Sequence, residues 1–314
     1  MVTAAGTVRS QGRTASPRYR AAEAALWSAH GLQPAEHLVE LPEFGTTIRI
    51  LEVGAGRPTL FVPGTGGTGP YWAPLVGTLA DRRCLLMDRP GWGLSGPVDY
   101  RDDDYGALVA GTLASVLDRL DIERSDVIGA SIGALWALRL AQQQPTRVGR
   151  LVLLGGFPNT EVPIPTFIKL LHSPVGALMV RLPMRAGMLR KQLKALGHGG
   201  ALERGELDGF IEWRLAFQRE TPSMHHERDM VRAIAGRDGF RPGVTQTRDD
   251  LASIHHPTLM VFGANDPTGT VETWRRFVDA MPAAELRVVD GAGHSPWWDD
   301  APAVGRLVEE HLTA

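Results

Sequence analysis

Cysteine is almost absent from this chain: Cys84 is the only one in 314 residues. A lone thiol excludes an intrachain disulfide and a thiolate metal cluster. It stands in "RCLLMD", an apolar run, where a buried and inert thiol is expected. Net charge is nearly absent too. Against 35 Asp and Glu there are 33 Lys and Arg, and the balance of −2 predicts no general attraction to nucleic acid or to an anionic membrane. No apolar run is long enough to span a bilayer. The opening stretch "MVTAAGTVRSQGRTASPRYR" has no apolar core of the kind a secretory signal carries. Residues 1–18 therefore read as a flexible arm, and a cytoplasmic setting is expected. No pattern of residues asks for a metal ion or an organic cofactor.

What is there is apolar patterning. A chain 43% hydrophobic and 22% charged is a globular one. Its length suits one large α/β domain with an insertion, or two ordinary domains. After the arm, "RYRAAEAALWSAHG" reads as a helix stopped by Gly31. "EHLVEL" and "TTIRILEV" read as a hairpin at a sheet edge. Then come "TLFVP", "CLLMD", "DVIGA", "RLVLLGG" and "TLMVFGA", short apolar runs of the kind that form strands buried on both faces of a parallel sheet. Helical stretches separate most of them, which predicts an α/β fold with helices on both faces. The rhythm breaks between Phe157 and His256. A helical insertion over residues 159–248 is expected there, dividing a core of residues 19–158 and 249–314. Its methionines, Met179, Met184 and Met188, suit either helix packing or an adaptable wall for an apolar substrate.

One stretch permits two readings. "FVPGTGGTGPYW" contains Gly64, Gly66 and Gly69 in the spacing of a dinucleotide-binding loop, with Asp88 about twenty residues later. With 36 glycines in the chain, such a triple arises by chance in about one of every two sequences of this make-up. The fingerprint also requires the loop to open straight into a helix, and here Pro70 follows Gly69. Glycines after a strand serve equally to present backbone N–H groups to a developing oxyanion.

The residues that decide between these readings lie further on. "GASIG", Gly129 to Gly133, is a G-x-S-x-G between an apolar strand and an apolar-periodic helix. A nucleophile on so sharp a turn needs neighbours without bulk. The alternative is a serine that caps the helix. Ser131 needs a base. Of ten histidines, only His294 follows an apolar strand and a glycine loop, in "LRVVDGAGH", where open α/β sheets place their sites. Asp266, in the loop after "TLMVFG", can orient that base, or it can be a plain turn residue. The chain order serine, acid, histidine is the one found in α/β-hydrolases.

From about His37 to Leu312 the chain resembles the capped branch of the α/β-hydrolase superfamily. "GASIG" is similar to its nucleophile elbow, "MDRPGWGLSG" to the loop after its fourth strand, and "GANDP" and "GAGH" to its acid and base loops. "PGTGGT" aligns with its oxyanion loop, with Pro63 where the family usually has histidine. The resemblance implies a mostly parallel eight-stranded sheet with an inserted helical cap. It also implies that Ser131, Asp266 and His294 form a triad, and that the backbone N–H groups of Thr65 and Ile132 hold the oxyanion. An ester or lactone of an apolar small molecule is the expected substrate. Cleavage of a carbon–carbon bond next to a ketone is the enzymatic alternative, and a ligand-binding module with an idle site is the non-enzymatic one. A serine nucleophile excludes the family's halide and epoxide chemistry, because the ether it would form cannot be cleaved by water. Trp72, Phe157 and Trp297 flank these loops and are candidate walls for an apolar substrate.

Overall fold

The apolar runs become the strands of one sheet because each can bury side chains on both faces. The computed structural model describes residues 15–314 apart from 102–103, 163, 165, 237–238 and 242. The strands are β1 (Ala35–Leu41), β2 (Thr46–Val53), β3 (Arg57–Val62), β4 (Arg82–Met87), β5 (Ser125–Ala130), β6 (Val148–Leu154), β7 (Thr258–Gly263) and β8 (Ala284–Val289). Their order is β1-β2-β4-β3-β5-β6-β7-β8. The β1–β2 hairpin turns at Gly45, whose φ of 60° a side chain would resist. The β1–β2 and β2–β4 pairings are antiparallel, and the other five are parallel.

Thirteen helices are described. They are α1 (Pro17–Ala29), α2 (Ala73–Val76), α3 (Tyr105–Arg119), α4 (Ile132–Gln143), α5 (Thr166–His172), α6 (Pro174–Met179), α7 (Ala186–Ala195), α8 (Gly199–Glu203), α9 (Asp208–Glu220), α10 (Ser223–Ile234), α11 (Arg248–Ala252), α12 (Val271–Val278) and α13 (Ala301–Thr313). The expected arm ends earlier than residue 18. Ser16 accepts the N–H of Tyr19 and Pro17 supplies a preset first turn, so α1 starts at Pro17. Residues 1–14 of that arm lie outside the described residues.

Strand side chains alternate between two cores. Leu60, Val62, Val127, Leu151 and Leu153 face one, with α3, α4 and α12. Phe61, Ile128, Val152, Leu154 and Val261 face the other, with α1, α2 and α13. Between β6 and β7 the described residues form helices and no strand. Met230, Ala233 and Ile234 of α10 enter the first core, while Leu189, Phe210 and Trp213 of α7 and α9 enter the second. The inserted helices thus straddle the sheet. They also meet the loops after its strands: Ser223 Oγ accepts the N–H of Gly93, and the Leu196 carbonyl accepts that of His294.

Candidate active site

Ser131 sits between β5 and α4 with φ 53° and ψ −119°, a backbone conformation that L residues avoid. Its surroundings enforce it. The Ser131 N–H donates to the Leu154 carbonyl at 3.2 Å, and its own carbonyl accepts from Ala134 at 3.0 Å. A Cβ at Gly129 would run into the backbone of Gly133 and Ala134, and one at Gly133 would run into the Val62 carbonyl. The two glycines of the motif are therefore needed for close approach, one to the following helix and one to the neighbouring strand. Among the described residues the Ser131 hydroxyl makes no capping bond to α4, so the capping alternative leaves it without a task.

Asp266 and His294 follow β7 and β8, adjacent parallel strands. The His294 Nδ1 lies 2.9 Å from Asp266 Oδ2. A carboxylate accepts only, so Nδ1 carries the proton and Nε2 is left with its lone pair. Asp266 also accepts from the Thr268 N–H and hydroxyl, at 2.9 and 2.7 Å, and its Oδ2 accepts from the Gly156 N–H at 3.3 Å. Burial pushes the Asp266 carboxyl up, but the His294 charge and these hydrogen bonds hold it below its usual value. Burial pulls the His294 imidazole down, and Asp266 outweighs that and holds it above the usual value. The ring sits over Gly155, where an added Cβ would come within 3.3 Å of Nδ1. The residue before Gly155, Leu154, accepts the Ser131 N–H, so this stretch of backbone adjoins both residues.

Thr65 is held on a third loop, after β3. An added Cβ on Gly64 would stand 3.0 Å from the Ser131 Cβ. Arg89 Nη2 donates to the Gly64 carbonyl at 3.1 Å. In a trans peptide the N–H points opposite the C=O, so this bond turns the Thr65 N–H away from Arg89. The arginine thus orders the loop where the family's usual histidine is replaced by Pro63. Two of the loop's glycine donors are in use. Gly67 N–H bonds the Gly64 carbonyl, and Gly69 N–H bonds Asp88. Asp88 is fully buried, bonded also to Leu94 N–H and to Arg49, and has no surface with which to meet a ribose. After Gly69 comes a 3₁₀ turn and then the four-residue α2. The dinucleotide reading fails on all three counts.

Thr65, Ser131 and His294 share one further property. Each is partly exposed while both of its chain neighbours are buried. Three separate loops open at one residue apiece, on the same side of the sheet. A match to the model of the alpha/beta hydrolase family extends over residues 59–306.

The chain belongs to the α/β-hydrolase family.

Among its relatives is the 2-hydroxy-6-oxononadienedioate/2-hydroxy-6-oxononatrienedioate hydrolase of Cupriavidus pinatubonensis, 31% identical over 275 residues. That alignment covers 83% of this hydrolase and 89% of the relative. The naproxen esterase of Bacillus subtilis has a similar structure, with a TM-score of 0.74 at 20% identity, covering 94% of this chain and 97% of that one. So does the 2-hydroxy-6-oxo-6-phenylhexa-2,4-dienoate hydrolase of Rhodococcus sp. strain RHA1, with a TM-score of 0.71 at 18% identity, covering 90% and 100%. Both likenesses show the fold.

The structure corrects the aromatic wall. Trp72 and Trp297 are fully buried, stacked with ring centroids 4.7 Å apart, and Trp297 Nε1 donates to the Tyr71 carbonyl. Phe157 is packed against Trp274 and Phe277. Large flat rings bury best against each other, so these three support the loops from within, with no surface exposed on Trp72 or Trp297 and almost none on Phe157. Of the methionines, Met188 is exposed, and Met184 packs on the second core. Cys84 is buried as expected, its thiol pushed up to about 12 by burial.

Sequence reasoning missed four buried polar side chains around the hydrolase's loops. Arg89, Glu227 and Arg214 are all buried. Arg89 Nη2 lies 3.6 Å from Glu227 Oε2. Arg214 stacks over Phe217 and Trp92, and an added Cβ on Gly66 would stand 2.6 Å from its Nη2. Its Nη1 has no hydrogen-bond partner among the described residues. Burial pulls the guanidinium down to about 10, against the opposing pull of Glu227, and it stays charged near neutrality. The fourth is His198, buried between the inserted helices and the base loop. Of these, only Arg89 stands in a motif, "MDRPGWGLSG", that marked it for attention.

Proposed function

We propose that Ser131, His294 and Asp266 act as a triad and that this hydrolase cleaves a carbon–carbon bond beside a ketone in an unsaturated carboxylic acid. The relatives' names support the bond type. A 2-hydroxy-6-oxo dienedioate has carboxylates, an enol and a ketone but no ester link, so water can divide it only between carbons. The observation that carries the reading to this chain is Arg214, a buried cation with an unmet donor beside the loop that faces Ser131. With Arg89 and Glu227 it leaves one net positive charge. A buried charge of that sign calls for an anionic partner, and a substrate carboxylate provides one in bidentate geometry.

The steps in this reading are these. His294 Nε2 takes the Ser131 hydroxyl proton as Oγ attacks the ketone carbon. The Thr65 and Ile132 N–H groups hold the oxyanion. Cleavage requires the substrate's enol to have become its keto tautomer, with the proton on the carbon beside the ketone, so that this carbon is saturated. Collapse then breaks the bond to it, the electron pair spreads through the adjoining double bond to the keto oxygen as a dienolate, and that oxygen takes the proton from His294 to give the dienol acid. One product leaves. Water, deprotonated by His294, then attacks the acyl-serine and releases the second acid with Ser131 restored. Asp266 keeps the imidazole in the tautomer all these steps use. The inserted helices, in this reading, cap the site and select the acyl portion.

Ester or lactone hydrolysis, the first expectation from the sequence, needs the same triad and no carboxylate anchor. The test is a 2-hydroxy-6-oxo-dienoic acid run beside a panel of chromogenic esters, with Ser131→Ala as control. Loss of the dienoate chromophore with two acid products by mass spectrometry is the result expected. Ester turnover without any carbon–carbon cleavage would return the assignment to an esterase.

A further inference from the structure

The chain's net charge of −2 conceals a strong local imbalance. Between Glu161 and Glu203 there is no Asp or Glu, while Lys169, Arg181, Arg185, Arg190, Lys191 and Lys194 are all cationic. The three lysines among them are the only lysines in the chain, whose other cations are arginines. Arg190 pairs with Asp208. The other five make no ion pair among the described residues.

The same segment holds the exposed apolar side chains. Val175, Leu178, Leu182 and Met188 are 58%, 59%, 60% and 54% exposed, and no other large apolar residue among those described exceeds 37%. Three of the four form a stripe. Val175 and Leu178 are one turn apart on α6, and the chain continues the turn through Val180, Arg181 and Leu182, whose N–H groups bond back to Gly176, Leu178 and Met179. On the opposite side of α6, Gly176 is buried against the backbone of Leu170 and Leu171. On α7, Met188, Lys191 and Lys194 face out while Leu189 and Leu193 face in.

We propose that this cationic segment of the insertion, with its exposed apolar side chains, docks the protein peripherally on an anionic lipid surface. Exposed branched side chains fit the headgroup–acyl boundary, and lysine and arginine stems lie along it with their charges at the phosphates. Anionic headgroups complement the cations at the same moment. A second copy of the chain fits less well, because an isologous contact would bring two acid-free cationic faces together. A nucleic acid would use the charges and leave the leucines in water. No described helix is long and apolar enough to cross a membrane, so the contact is with the surface. Leu196, two residues beyond Lys194, bonds the N–H of His294, so the docking face runs directly into the segment that grips the base loop.

The full chain is tested by co-sedimentation with phosphatidylcholine vesicles, with and without about 30 mol% phosphatidylglycerol. Pelleting with the anionic vesicles only, lost by about tenfold or more in ~0.5 M salt, is expected. Lys191→Glu with Lys194→Glu, and separately Leu178→Ser with Leu182→Ser, should each weaken it by about tenfold. Labelling of Ser131 by a fluorophosphonate reports that each variant is folded. No pelleting of the wild type, or pelleting indifferent to lipid charge and salt, overturns the proposal without help from any variant. A dimer in light scattering that Leu178→Ser dissociates would assign the face to a second copy and overturn it too.

Discussion

His198, on the inserted segment, hydrogen-bonds Asp299 across the base loop with Nδ1 2.7 Å from Oδ2. The same Asp299 oxygen accepts the Gly293 N–H, and His198 Nε2 accepts the Ser295 N–H. Both residues flanking His294 are therefore tied to one buried pair, while His294 itself bonds the Leu196 carbonyl. Glycines at 197 and 293 permit this approach, since an added Cβ on either would meet the other strand of backbone. His198→Ala should let the loop shift. A displacement of about 1 Å lowers turnover by about 10², so kcat should fall with little change in KM, along with melting temperature. Unchanged kcat in a folded variant would show that the pair does not position His294.

Ser131 should be the residue a fluorophosphonate labels, since only a serine paired with a base attacks such a reagent quickly. Peptide mapping checks this. An adduct elsewhere, or full labelling of Ser131→Ala, would remove the proposed nucleophile.

Activity should be lost toward acid pH, because protonated His294 cannot take a proton. Asp266 holds the imidazole above its ordinary 6.5, so the midpoint should lie above that value. Asp266→Asn should move it down and reduce turnover by up to about 10⁴ through tautomer loss. The pair has two opposite stability signatures. The raised His294 contributes stability that is present below pH 6.5 and fades as pH rises through its folded value. The depressed Asp266 contributes stability present above its ordinary 3.8, fading as pH falls through its folded value. Labelling rates and melting curves across pH read both effects, and a pH-independent labelling rate would argue against the dyad.

In the proposed site Thr65 offers only its backbone N–H to the oxyanion, so Thr65→Ala should be mild. Thr65→Pro deletes the N–H and should lower kcat by about 10² to 10³, with circular dichroism confirming that the loop's fixed φ is tolerated. Arg89→Met frees the Gly64 carbonyl and should act in the same direction. Equal activity of Thr65→Pro and wild type would assign the oxyanion to other donors.

Arg214→Gln should abolish the preference for a free acid over its methyl ester, a loss of about 10² to 10³ in kcat/KM for the acid. Lysine should not restore it, since one point charge does not reproduce the fork. If acid and ester respond alike to the substitution, the carboxylate is bound elsewhere.

The strands, their parallel pairing and the three strand-end residues Ser131, Asp266 and His294 were all legible in the chain, because each depends on local requirements. Apolar runs of strand length report burial on both faces, and Gly129 and Gly133 are small because the turn around Ser131 brings backbone within contact. Tertiary structure decided the rest. Arg89, Arg214, Glu227 and His198 look like ordinary surface residues in the sequence, since a charged or polar residue type says nothing of its own burial. They became a buried charge cluster and a clamp only when the inserted helices closed over loops far away in the chain, as Asp299 is from His198 at a separation of 101 residues. Trp72 and Trp297 erred in the other direction: aromatic rings near a site read as walls until long-range packing stacked them against each other. Long-range contacts between side chains leave no period and no motif, so these contacts had to be seen rather than read.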